Sequence, residues 1–338
     1  MGIKRKPSVK QISELTGFSA ATVSNALNMK KGVNKETSER IFRVAEKIGY
    51  RGAVKELKHI KFVLFRKTGA IVDGSMFHPF VIEGVEQEAK ENGMPTMFVQ
   101  LNYSDIDYEE QLERIINDTE GGVILLATEM MEEDFLPFGA CRSPLILLDG
   151  WSSRSPFSGV LIDNRDSARI AVNYLIGQGH RDIGYVCGSY RIQAFLSREW
   201  GYRQAMYEHG LSIRPEWIVT VGTQTDDACA DMLQWLKNHS KLPTAFFIDD
   251  DRIAYGVMQA LTKHGIHIPD DVSIVGFDDL SYSAVSTPAL TTVHVHKQEM
   301  GRLAVRYLLM MAKHLDEQVK IQSCTVFIER ESVRKLAQ

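Results

Sequence analysis

Hydrophobic and polar positions divide this 338-residue chain into two differently patterned parts. Residues 8–50 read as three short helices. In the first, Val9, Ile12 and Leu15 recur at i, i+3 and i+6, which predicts one buried face of a 3.6-residue period. Gly17 supplies the backbone freedom a sharp turn needs, and Ser19 stands where an N-cap belongs. The second helix is expected to bury Val23, Ala26 and Leu27 and to expose Ala20, Ala21, Thr22, Ser24 and Asn25. The third, Thr37 to Ile48, carries Ile41, Val44, Ala45 and Ile48 on one face and stops at Gly49. Three such helices suffice for a small closed core.

Beyond residue 59 short apolar runs alternate with amphipathic stretches. The runs are IKFVLF (60–65), PTMFVQL (95–101), GGVILLAT (121–128), PLILLDG (144–150), IGYVCG (183–188), TAFFIDD (244–250) and VSIVGFDD (272–279). Such runs suit strands buried on both faces. Segments 80–93, 108–119, 167–179 and 252–265 between them have helical periodicity. Repeated βα alternation predicts doubly wound parallel sheets, and the strand number predicts two α/β lobes. Parallel sheets bind ligands beyond the carboxyl ends of their strands. Asp149, Asp249, Asp250, Asp251, Asp278 and Asp279 stand at such ends, and Arg198 begins a helix after another strand. A cleft lined by aspartates and an arginine suits a small polyhydroxylated or charged ligand.

Charge sharpens the division. Residues 1–59 hold 13 Lys and Arg against 5 Asp and Glu, whereas the remainder holds 26 against 38. A basic head on an acidic body implies a polyanionic partner for the head alone. Helix two exposes small and hydrogen-bonding groups near its N-terminus, a shape suited to the DNA major groove. No apolar run is long enough for a membrane span, and no apolar segment follows the basic N-terminus as a secretory signal requires. A cytoplasmic protein is expected. The four cysteines form no CxxC pair, and no GxSxG, HExxH, Walker or GxGxxG motif is present. No enzyme chemistry, cofactor or metal site is therefore expected. His294-x-His296, on the strand LTTVHVH, reads as two surface positions on one face.

Several long segments in order resemble the lactose/galactose repressor (LacI/GalR) family of bacterial transcription regulators. They are VKQISELTGFSAATVSNALN, VNKETSERIFRVAEKIGY, VLIDNRDSARIAVNYLIGQGHRDIGYVCG, SREWGYRQAM, IPDDVSIVGFDDLSYSAVSTPALTTVHVHKQEMGRLAV and ERES. The resemblance implies a helix-turn-helix head (1–50), a short hinge (51–59) and a periplasmic-binding-protein-like core (60–338). Its N-lobe would span about 60–162 and 293–322, and its C-lobe about 163–292 and 323–338. It also implies a homodimer on a palindromic DNA operator, whose affinity is set by a small molecule, sugar or sugar-like, held between the lobes. The chain stops soon after ERES without a heptad repeat, which favours a dimer over a tetramer. The alternative is control by a protein co-regulator.

By the same resemblance, Ala20, Ala21 and Asn25 read base edges, and Ser19, Thr22, Ser24 and Asn28 contact the DNA backbone. Arg198 clamps the effector with Asp278 as its partner, and Phe77 and His78 offer ring contacts. Asp250 stands where many members have asparagine, which favours a hydroxyl-rich or amine-bearing ligand over a phosphate. The linker departs from the family pattern: GYRGAVKELKHIKFVLF lacks the usual Pro-Asn, and Gly52 weakens a hinge helix. Leu57 is its candidate for a minor-groove wedge.

Overall fold

A computed structural model describes residues 8–27, 32–48, 57–314 and 318–336. The helical head and the α/β core form separate units. In the head, α1 (Val9–Thr16), α2 (Ala20–Leu27) and α3 (Lys35–Lys47) close over Ile12, Val23, Ala26, Ile41 and Ala45. Gly17 ends α1 at φ 76°, its N–H donating to the Ser13 carbonyl at 2.9 Å. Leu15 departs from the expected face and is 55% exposed, while Thr16 is buried. The reason is angular: position i+6 lies about 240° round the helix from Val9, whereas Thr16 follows Ile12 at i+4. The Thr16 hydroxyl is buried without cost because it donates to the Ile12 carbonyl at 2.7 Å.

The core begins at Leu57, inside the segment expected to be hinge. Its first sheet contains β1 (His59–Arg66), β2 (Thr96–Asn102), β3 (Gly121–Leu126), β4 (Leu145–Leu148), β5 (Ser158–Ile162) and β11 (Lys320–Ser323), ordered β11-β5-β4-β3-β1-β2 and parallel throughout. Its second contains β6 (Ile183–Gly188), β7 (Ile218–Val221), β8 (Ala245–Ile248) and β9 (Ser273–Val275), ordered β7-β6-β8-β9 and also parallel. Two short strands, β10 (Thr292–Val295) and β12 (Thr325–Ile328), pair antiparallel. Helices α4 (His78–Glu91), α5 (Tyr108–Ile116), α6 (Asn164–Gly177), α7 (Gln193–Glu208), α8 (Thr225–Asn238), α9 (Asp251–Lys263) and α10 (Lys297–His314) complete the alternation. Among the described residues, no helix is long and apolar enough to cross a membrane.

β3, β4, β6 and β8 are buried along their whole length, as apolar runs between covering helices should be. β2 is not: it is an edge strand, and Met97 and Phe98 are 48% and 46% exposed. Strand order reverses around β1 in the first sheet and around β6 and β8 in the second. Those reversals open crevices at the carboxyl ends of the strands, where loops can diverge around a ligand.

Candidate functional site

In the head, the Ser19 hydroxyl caps α2 by accepting from the Thr22 N–H at 3.0 Å, and lies 2.8 Å from the Thr22 hydroxyl. Ala20 and Ala21 are exposed, and Thr22, Ser24 and Asn25 are half-buried. Asn28 lies outside the described residues. Leu57 does not fit its expected part as a wedge. It is 8% exposed and packs with Leu308 over Gly122 in the core, because the chain has already joined the first sheet: the Lys58 N–H donates to the Glu120 carbonyl at 2.9 Å.

In the core, Phe77, His78, Asp149, Arg198, Asp250 and Asp278 all line one narrow cleft with about 40 Å³ of free space. Each arrives from the end of a strand or from the helix that follows. Asp149 follows β4, Asp250 follows β8, and Asp278 lies just past β9. Phe77 and His78 open α4 after the long loop that leaves β1. Arg198 sits in the second turn of α7 and not at its start, since α7 begins at Gln193. Its guanidinium is 3% exposed and fully engaged. Nε donates to Asn164 Oδ1 at 2.9 Å, Nη1 to the Asp249 carbonyl at 2.6 Å and Nη2 to Asp278 Oδ1 at 3.0 Å. The Phe277 ring lies 3.7 Å beneath it, a cation–π contact in a desolvated setting.

Asp149 and Asp278 have positive φ, 57° and 102°, a region L-residues enter at a cost of about 1–3 kcal/mol. Both carboxylates line the cleft. Asp149 Oδ2 accepts from the Thr128 hydroxyl at 2.7 Å, and Thr128 Oγ1 lies 3.3 Å from His78 Nε2. His78 Nδ1 is buried with no hydrogen-bond partner among the described residues. Burial pushes His78 down to about 4, so the ring is neutral at physiological pH. Burial likewise pushes Asp149 and Asp250 up to about 6 each.

Asp250 also N-caps α9, accepting from the Ile253 N–H at 2.7 Å. Of the other aspartates expected at strand ends, none joins the cleft lining. Asp249 binds Tyr185, Arg191 and the Gly188 N–H. Asp251 accepts from Leu280, Ser283 and Thr292, and Asp279 pairs with Arg330 and His294. They are turned into packing groups because the strand end points one side chain to the crevice and its neighbours into the flanking loops. Sequence reasoning missed Thr128, Asn164 and Arg252. Arg252 follows directly on the aspartate run in DDDRIAY, the one local signal that pointed to it.

The raised pKa of Asp250 predicts a pH effect. A carboxyl whose folded pKa exceeds its unfolded value stabilises the fold below about pH 4, and that contribution is lost as pH rises through 6. Asp250→Asn keeps the cap and removes the buried charge. The variant is expected to be more stable than the parent at pH 7.5, by up to about 3 kcal/mol, with the gap closing by pH 4. Thermal unfolding at both pH values checks this.

The fold has two parts: a three-helix head, and an α/β core of two parallel sheets with a polar cleft at its strand ends. Comparison with known proteins agrees. Residues 8–52 match the model for bacterial regulatory proteins of the lacI family, and residues 172–333 match that for a periplasmic binding protein-like domain. The HTH-type transcriptional repressor PurR of Haemophilus influenzae is 28% identical over 97% of this chain and 99% of its own. Among solved structures, a transcriptional regulator CelR–cellobiose complex superposes with a TM-score of 0.72 at 24% identity, covering 96% of this chain and 99% of that one. A lac repressor dimer bound to operator and the anti-inducer ONPF gives 0.70 at 19%, covering 98% and 100%. The chain therefore carries a lacI-family helix-turn-helix domain and a periplasmic-binding-protein-like domain, the two parts found in order in these regulators.

Proposed function

We propose that this chain is a cytoplasmic homodimer that binds a palindromic operator through α2 of each head, and that a small sugar-like molecule in the cleft sets its operator affinity. The observation that carries the effector reading is the cleft itself. Arg198 and Asp278 pair at 3.0 Å, and Asp149 and Asp250 add two carboxylates beside them. Carboxylates accept hydroxyl and amine donors and repel a phosphate, so a hydroxyl-rich, neutral or cationic ligand fits best. The neutral His78 ring, with Nδ1 unpartnered, offers one further hydrogen bond. The exposed Met97–Phe98 edge of β2 supports a dimer, since an apolar edge strand invites pairing with a second copy.

The test has two stages. A cognate site is first selected from random duplex DNA, and binding to it is then titrated against sugars, sugar acids, sugar phosphates and nucleobases. A neutral or amine-bearing sugar that changes operator affinity supports the proposal. A response to a sugar phosphate or nucleobase alone would replace the ligand class. No response from any class would favour the protein co-regulator. On the selected site, Asn25→Ala is expected to lose about 1–3 kcal/mol of discrimination at one base position. Competition with single-base variants of that site measures this loss.

A further inference from the structure

One wall of the cleft starts from a loop, residues 67–73, that leaves β1. Glu129, wholly buried at the end of β3, holds this loop by its backbone. Its Oε2 accepts from the N–H groups of Lys67, Thr68 and Gly69 at 2.9, 2.9 and 3.0 Å. Its Oε1 accepts from Ile71 and Val72 at 2.8 and 3.1 Å. Thus shaped, the loop reaches from the side of the core built on the first sheet, here called the first lobe, to the side built on the second sheet, the second lobe. The Ala70 carbonyl accepts from Thr223 Oγ1 at 3.0 Å, Gln224 Nε2 at 3.0 Å and Arg252 Nη2 at 3.3 Å. Arg252 Nη1 donates to the Asp73 carbonyl at 3.2 Å. Ile71 is 6% exposed and packs into the apolar cluster of the second lobe with Val221 and Ile253.

Arg252 is the weak member of this set. A carbonyl has two lone pairs, so three donors on Ala70 are one more than it serves well, and the Arg252 bond is the longest. Arg252 is only 9% exposed, yet among the described residues no carboxylate oxygen lies within 4.0 Å of it. Its bonds to neutral oxygens, 3.2–3.4 Å, are longer than the roughly 2.7–2.9 Å of a charge-assisted pair. The same side chain lines the cleft.

We propose that loop 67–73 is an inter-lobe strap that holds the two sides of the cleft together, with Arg252 as its positioning residue. A ligand in the cleft would meet the strap at Ile71 and through Arg252. This consequence rests on the effector reading above; the strap itself does not.

The test uses the full chain without ligand. Spin labels are placed on exposed sites of the two lobes by Glu109→Cys and Lys237→Cys, in a background carrying Cys141→Ser and Cys324→Ser. Pulsed electron–electron resonance then reports the inter-lobe distance distribution. Arg252→Gln is expected to shift it to longer distances. The Thr223→Val, Gln224→Leu pair, which leaves Arg252 in place, is expected to do the same, while Arg252→Lys retains the parent distribution. Parent-like distributions in both the Gln variant and the double variant overturn the proposal. So does a shift in Arg252→Gln alone, which would make Arg252 a local packing residue. A cleft that takes no small molecule leaves all these distances as they are, so the two readings fail separately.

Discussion

Arg198→Met is expected to destabilise the core by about 3–5 kcal/mol, the cost of stranding a buried charge. The side chain is 3% exposed, and its three donor positions hold Asn164, the Asp249 backbone and Asp278 at 3.0 Å or less. Methionine fills much of the volume above Phe277 but leaves the Asp278 carboxylate without its cation. The cost therefore belongs mainly to Asp278 and not to lost packing. A double-mutant cycle separates the two. If the stranded carboxylate dominates, Asp278→Asn added to Arg198→Met recovers a large part of the loss. If packing dominates, the two losses add. Urea unfolding of the four proteins reads the difference directly. The single variant is also expected to lose any thermal response to a cleft ligand, because the Arg198–Asp278 pair forms the floor on which the proposed ligand rests.

Much of this arrangement was legible in the sequence, for a definite reason. Asp149, Asp250 and Asp278 each follow a short apolar run, and parallel sheets bring strand ends together whatever the intervening length. The same logic could not separate them from Asp249, Asp251 and Asp279, which differ by one position along the chain. Positive φ does not separate them either, since Asp279 shares it at 50° while Asp250, at −149°, lines the cleft; the partners each carboxylate meets in the folded chain decide. The run PTMFVQL read as a buried strand because hydrophobicity does not report whether a neighbour covers it, and β2 lies at an edge. Leu15 failed because an i+6 spacing is not a helix face. Glu129 had no local signature, and Arg252 only its place after the aspartate run. Their partners lie about 60 and 180 positions away, so only the assembled fold defines them.

Glu129→Gln is expected to cost about 4 kcal/mol, although the two side chains have nearly the same shape. The carboxylate serves five backbone N–H groups with two oxygens. Burial alone would push Glu129 up, but those N–H groups outweigh it and hold the carboxyl below the usual range. Glutamine keeps one oxygen and sets an NH₂ against the donors at the other position. At least two buried N–H groups are then unsatisfied, at about 1–3 kcal/mol each, and a charge-assisted set becomes neutral. The sign with pH follows from the lowered pKa. The Glu129 contribution is present above the ordinary glutamate range and is lost as pH falls through and below it. The parent and Glu129→Gln should therefore differ most at neutral pH and converge in acid, the same direction as Asp250→Asn but with the variant now the less stable protein. Amide hydrogen exchange adds a local reading. Residues 67–72 are expected to lose protection first in Glu129→Gln, ahead of α6 and α9. Uniform loss across the core would mean that Glu129 supports the lobe as a whole and not this loop.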